Sequence, residues 1–263
     1  MLVGAVLLTA SLDTITRAYT PADPKLGDNS VFCAMMNLAS LQGYFSPFYG
    51  TNGPLWTLGM EIHFYVFYPL LFLAFRRFKG VNVAATLLVI SILAWLAAVN
   101  GLVSKSSFLP YWFCWTVGAF IAECQYSSTE WPLKCMVTLS IPCLILALSA
   151  DFWNRFVPFP SPVLFTIAVP PLGVIVWWVV NRSIWNGRFV SILASTGEFS
   201  YSLYATHLPV IVAYRAVFQN GKPSGDFLSI IPGIAVAIIF AKIFFLCVEK
   251  WSIRVPKTVR PKH

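Results

Sequence analysis

The sequence predicts an all-α protein, a polytopic transmembrane helical bundle of about eight spans. Three observations lead there. Hydrophobic residues make up 58 % of the 263 positions and charged residues only 11 %, against roughly 25 % charged in a soluble domain. The mean hydropathy is +0.73. The apolar stretches are continuous rather than alternating, which argues for helices and against a transmembrane barrel. The 22 Phe, 10 Trp and 10 Tyr exclude a disordered chain.

Eight spans follow from the apolar runs. The first, residues 1–16, is short. Clearer ones cover 54–75, 82–100, 108–123, 135–150, 163–180 and 227–248. Residues 190–218 are apolar but carry Ser200, Tyr201, Tyr204, His207 and Arg215, and read as a polar-lined span. A further Met/Phe-rich stretch, 31–45, is short enough to be re-entrant or only partly spanning. Residues 17–30 hold Pro21, Pro24, Gly27, Asp28 and Asn29 and read as a loop. The connections are short, with no linker, internal repeat or low-complexity tract, so residues 1–263 read as one membrane domain.

The 18 Lys/Arg against 10 Asp/Glu give a formal charge of +8. Basic residues flanking membrane helices explain this without a nucleic-acid partner. If 54–75 runs from outside to inside, 11 Lys/Arg fall on inner segments and 5 on outer ones, which predicts a cytoplasmic C-terminus. The six cysteines are scattered without a C-x-x-C pair and read as small buried hydrophobes, and no metal site is assigned.

Two segments carry chemistry. In 54–69, PLWTLGMEIHFYVFYP, Glu61 lies inside an apolar helix. A carboxylate there costs at least about 2.5 kcal/mol on insertion scales, so it faces a cavity or a partner. Thr57, Glu61, Tyr65 and Tyr68 share a stripe, and Trp56 and His63 an adjacent one. The bland alternative makes Trp56 and Tyr65 interfacial anchors and gives Glu61 a structural Arg partner. In 195–209, STGEFSYSLYATHLP, Ser200, Tyr204 and His207 fall at i, i+4 and i+7 on one polar face. A neutral imidazole can take a proton from a hydroxyl; the alternative is a histidine that hydrogen-bonds a neighbouring helix.

The run P-L-W-T-L-x-x-E-x-x-F-Y-x-x-x-P resembles the signature of the acyltransferase-3 family of integral membrane proteins. Gly197–Pro209 resembles that family's G-x-x-S-Y-x-L-Y-L-x-H segment, residues 111–122 its aromatic-then-Gly helix, and Glu249-Lys250 the E-[RK] pair ending its last helix. The resemblance covers about residues 30–250. It implies a membrane-bound O-acyltransferase that moves an acyl group, often acetyl, from acyl-CoA to a hydroxyl of a cell-envelope carbohydrate. It also implies a bacterial inner membrane. Many family members carry a catalytic His, with an Arg before it, on the first helix. Met1 aligns with the third, so the first two helices are expected to be missing.

The expected catalytic residues are Glu61, His207 and, less centrally, His63. Trp56, Tyr65, Ser200, Tyr201 and Tyr204 are expected to line the substrate site. Arg76, Arg77, Arg182 and Arg188 are expected to meet the CoA phosphates, with acetyl-CoA or a related acyl-CoA as donor substrate and no permanently bound cofactor. A transporter or flippase of lipid-linked sugars also suits intramembrane Glu and His, but the chain lacks the repeats and paired broken helices of that class. A non-catalytic fragment that assembles with partners is the third reading.

Overall fold

The computed structural model describes residues 1–78, 80–104, 107–127, 161–181, 195–221 and 230–252, with isolated positions between 134 and 149 and at 191. Among these every regular element is helical. The helices are α1 (Leu2–Tyr19), α2 (Val31–Leu38), α3 (Leu55–Arg77), α4 (Gly80–Val99), α5 (Trp112–Ser127), α6 (Ser161–Asn181), α7 (Ser200–Gln219) and α8 (Ile230–Phe244). A 3-10 turn, Leu109–Tyr111, leads into α5, and α8 continues through a π-helical stretch, Phe245–Glu249.

Among the described residues, three helices are long and apolar enough to cross a membrane: Leu55–Arg77, Asn82–Val99 and Ile230–Glu249. The described residues thus account for three of the eight expected spans by length and composition. Most of 135–150 and part of 190–199 lie outside them, as do Arg182, Arg188 and the basic C-terminal tail.

The 31–45 stretch is not a span. Its helix stops after eight residues at Leu38, because the chain then turns through Ser40 at φ 61° and Gly43 at φ 79°. Helix α2 starts where Ser30 caps it, accepting from the Cys33 N–H at 3.1 Å. Helix α1 runs three residues beyond the expected boundary, to Tyr19.

The chain divides into two units. The first comprises Met1–Gly59 and Gly187–His263. Here α7 packs on both α1 and α8, and α2 on α1. Small residues allow the close approach. Ala213 and Ala237 pack with Leu12 and Val210, and Ala241 packs with Phe199 and Phe245. A Cβ on Gly233 would come within 3.3 Å of the Tyr214 ring. Ala5, Val6, Leu55, Leu58, Ala205 and Phe244 belong to a third cluster.

The second unit is Met60–Asn186. Leu71 of α3, Val83 and Leu87 of α4, and Phe113 and Val117 of α5 form its apolar core. An aromatic stack is built on Phe108, which lies parallel to His63 (centroids 5.4 Å) and Phe67 (5.0 Å) and edge-on to Phe64 (5.9 Å). Ser91 of α4 donates to the Leu109 carbonyl at 3.1 Å and accepts from the Phe113 N–H at 3.1 Å, fixing the start of α5.

Candidate active site

Helix α7 carries the site, and its sequence contains an apparent fault. Pro209 lies inside it. A proline there has no N–H for the carbonyl four residues back, so the Ala205 carbonyl loses its helical donor. Ala205 is fully buried, and an unpaired buried carbonyl is expensive. Asn52 supplies the missing donor: its Nδ2 lies 2.9 Å from the Ala205 oxygen and 2.9 Å from Thr9 Oγ1 on α1. Asn52 is itself fully buried. One side chain in the loop before α3 thus joins α1 to the middle of α7.

Two residues before Pro209 stands His207, half-buried. Its Nδ1 lies 2.8 Å from the Tyr204 carbonyl and 3.1 Å from the Leu203 carbonyl. A carbonyl only accepts, so Nδ1 carries the proton and donates. In the neutral ring Nε2 then holds the lone pair, ready to accept a proton. The Tyr204 ring sits 5.9 Å from the imidazole. The Tyr204 hydroxyl is hydrogen-bonded to Thr57 Oγ1 at 2.8 Å, and Thr57 is also within 3.1 Å of the Pro54 carbonyl. The Tyr204–Thr57 hydroxyl pair thus ties α7 to the first turn of α3, and the Tyr204 ring lies next to the His207 imidazole.

The sequence places Thr57 only in the Glu61 stripe. Of the residues expected at the site, Tyr204 pairs with it, and His207 lies next to Tyr204. Trp56 is half-buried on the same turn of α3, and Tyr201 is 37 % exposed on α7. Ser200 turns back on its own chain, donating to the Gly197 carbonyl at 2.8 Å. Glu61, His63, Tyr65, Arg76 and Arg77 belong to the second unit. Glu61 is half-buried, one turn beyond Thr57 along α3, and Tyr65 is 61 % exposed. His63 lies in the aromatic stack on Phe108. Arg76 folds back over the Phe72 ring, 5.8 Å from its centroid.

Several buried polar pairings escape a reading of the sequence. Asp13 on α1 is 1 % exposed. It accepts from the Thr51 hydroxyl, from the Thr51 N–H at 3.0 Å and from Asn29 Nδ2 at 2.8 Å. Gly50, at φ 53°, makes room for it, since a Cβ there would lie 2.0 Å from Asp13 Oδ2. Ser202 of α7 donates to Glu249 in the π-helical stretch. Arg215 of α7 pairs with Asp23 in the 20–30 loop. Burial alone would raise the Asp23 pKa, but the Lys25 N–H at 2.9 Å and the Arg215 guanidinium outweigh it and hold the carboxyl below the usual range. The available signals are the carboxylates in or beside apolar runs and a proline inside α7.

Integral to a membrane by its apolar helices, the protein carries the class of site in which a histidine and hydroxyls gather on helices. The acyltransferase domain family matches residues 7–246, and the chain belongs to this acyltransferase-3 family. No curated protein and no solved structure matches it.

Proposed function

We propose that this protein is a membrane-bound O-acyltransferase that moves an acyl group, acetyl in the simplest case, from acyl-CoA to a hydroxyl of a cell-envelope carbohydrate. The observation that carries the reading is the His207 tautomer, with Nδ1–H spent on backbone carbonyls and Nε2 left to accept. Nε2 takes the proton of the acceptor hydroxyl as its oxygen attacks the thioester carbonyl. The Tyr204 hydroxyl, whose ring lies next to the imidazole, can turn from Thr57 to donate to the oxyanion that develops. Collapse of the intermediate breaks the C–S bond, and the histidine returns the proton to the departing CoA thiolate.

Reconstituted proteoliposomes supplied with radiolabelled acetyl-CoA and membrane-derived glycans test this. Transfer of label to an alkali-labile ester by a full-length version of the protein is the expected result. His207→Ala should lower it by about 10²- to 10⁴-fold, the usual worth of base catalysis, at unchanged membrane abundance. In that full-length version Glu61→Gln should also abolish transfer while leaving the protein in the membrane, because a carboxylate is held among apolar residues only for a definite partner. Full transfer by His207→Ala would remove the histidine from the reaction.

A further inference from the structure

The second unit contains a cavity of about 300 Å³ that the acyl-transfer reading does not use. Its walls are Leu70, Leu71, Ala74 and Phe78 of α3 and the residue after it, Asn82, Val83, Thr86 and Leu87 of α4, and Trp112 of α5. From Leu70 to Phe78 is eight residues, so the cavity runs about 12 Å along the helix axis. Both flanking helices are candidate membrane spans, and the cavity begins at the turn that joins them. It therefore starts at the level of lipid headgroups and reaches inward by nearly half of a hydrocarbon core about 30 Å thick.

The walls decide what fits. They are mainly apolar, and ordered water needs several polar partners. Left empty, a void of this size forfeits the dispersion contacts of its lining. The rim is open, with Leu70 59 % and Phe78 57 % exposed, so an alkyl chain can enter sideways.

Charge at the mouth selects the chain's head. Arg77 lies one turn beyond Ala74 and two beyond Leu70, on the cavity stripe of α3. Arg76 points elsewhere, over Phe72. The N-terminus of α4, with Asn82 and Val83 in the wall, adds its positive dipole end at the same place. By this spacing the Arg77 cation belongs at the mouth of the apolar slot. In a phospholipid the phosphate lies close to the root of the acyl chain, whereas in an acyl-CoA a long arm separates the two.

We infer that the slot between α3, α4 and α5 binds one acyl chain of an anionic phospholipid, with the headgroup on Arg77 and the first turn of α4. Arg77 is then a lipid contact and not a contact of the donor's phosphates. The site is independent of acyl transfer, and its test reads no catalysis.

The experiment places the protein in phosphatidylcholine nanodiscs and titrates in phosphatidylglycerol brominated along its chains. Bromine quenches nearby indoles, and subtracting the signal of Trp112→Phe isolates Trp112 at the inner wall. Expected is saturable quenching of Trp112 at a mole fraction about fivefold lower than for brominated phosphatidylcholine, the worth of one basic residue at an anionic membrane surface. Arg77→Gln should merge the two curves. Ala74→Phe should fill the slot and abolish the saturable component at unchanged helical circular dichroism, and Thr86→Phe should do the same from the opposite wall. Excess CoA should leave the quenching unchanged. Identical curves for the two lipids, quenching that persists in both filled variants, or displacement by CoA would each overturn the assignment.

Discussion

The two units of this protein are held together by different physics. In the first, buried polar side chains connect segments far apart in the chain: Asn52 with Ala205, Asp13 with Thr51, Ser202 with Glu249, Arg215 with Asp23. In the second, the aromatic stack on Phe108 and the Leu71–Val117 cluster dominate. Apolar packing tolerates a cavity and an adaptable shape. Directional bonds do not, because each buried donor or acceptor left without its partner costs its full desolvation. The unit tied by directional bonds is also where an imidazole is held in one tautomer, and positioning a proton acceptor requires that kind of rigidity.

The histidines of α3 and α7 break or sharpen this contrast most strongly. His207 has its Nδ1 committed to carbonyls, and His63 lies flat on Phe108. Substitution of His207 by Ala should lower acetyl transfer by about 10²- to 10⁴-fold. His63→Phe keeps the ring stack and should leave the rate within a small factor. Radiolabel transfer in matched proteoliposomes separates them. Equal losses at the two positions would mean that His63 takes part in the chemistry as well.

Much of the fold is legible in the sequence. The runs at 54–75, 82–100 and 227–248 correspond to α3, α4 and the α8 span, because long apolar stretches leave the chain no alternative that satisfies its backbone in lipid. Stretch 31–45 reads as too short for a full span, but apolar composition does not report the positive-φ residues that end its helix. The polar face of α7 is visible as a spacing of Ser200, Tyr204 and His207. The tautomer is not, since it depends on carbonyls that every helix has. The Asn52–Ala205 bond joins residues 153 apart, and no local pattern encodes such a pair. Pro209 nevertheless marks the carbonyl that needs a donor.

That bond yields the next effect in size. Asn52→Ala leaves the buried Ala205 carbonyl unpaired and should cost about 1–3 kcal/mol. Pro209→Ala restores a helical N–H to the same carbonyl. In the Asn52→Ala background it should therefore recover part of the loss, giving a double-mutant coupling of about 0.5–3 kcal/mol. Thermal unfolding in one detergent measures all four corners of the cycle. Strictly additive effects would show that Asn52 acts only through Thr9.

The aromatic unit should respond more mildly. Phe108→Leu keeps apolar volume and removes the ring geometry toward His63, Phe64 and Phe67. The leucine keeps most of the apolar contact, so the expected loss is about 0.5–1.5 kcal/mol in all. A larger loss with disturbed near-ultraviolet circular dichroism would mean that this unit is as directionally specified as the first.

The smallest effect belongs to the Asp23–Arg215 pair and concerns acid. The Asp23 carboxyl is held below its ordinary range, the opposing burial being outweighed by the Lys25 N–H and Arg215. A carboxyl whose folded pKa is depressed contributes stability above its unfolded value, about 3.9. That contribution shrinks as pH falls below this value and is gone once pH passes below the folded pKa. Unfolding temperatures of the intact protein should therefore drop on acidification below about pH 4. Asp23→Asn cannot titrate, so it should be less stable at neutral pH and flatter across the acidic window. The gap between the two curves should close as pH falls, because a protonated carboxyl and the variant's amide both leave Arg215 without a counter-charge. A gap that stays constant from neutral to acid would show that Asp23 acts through its neutral hydrogen bonds, and the first unit would owe this tie to geometry rather than to charge.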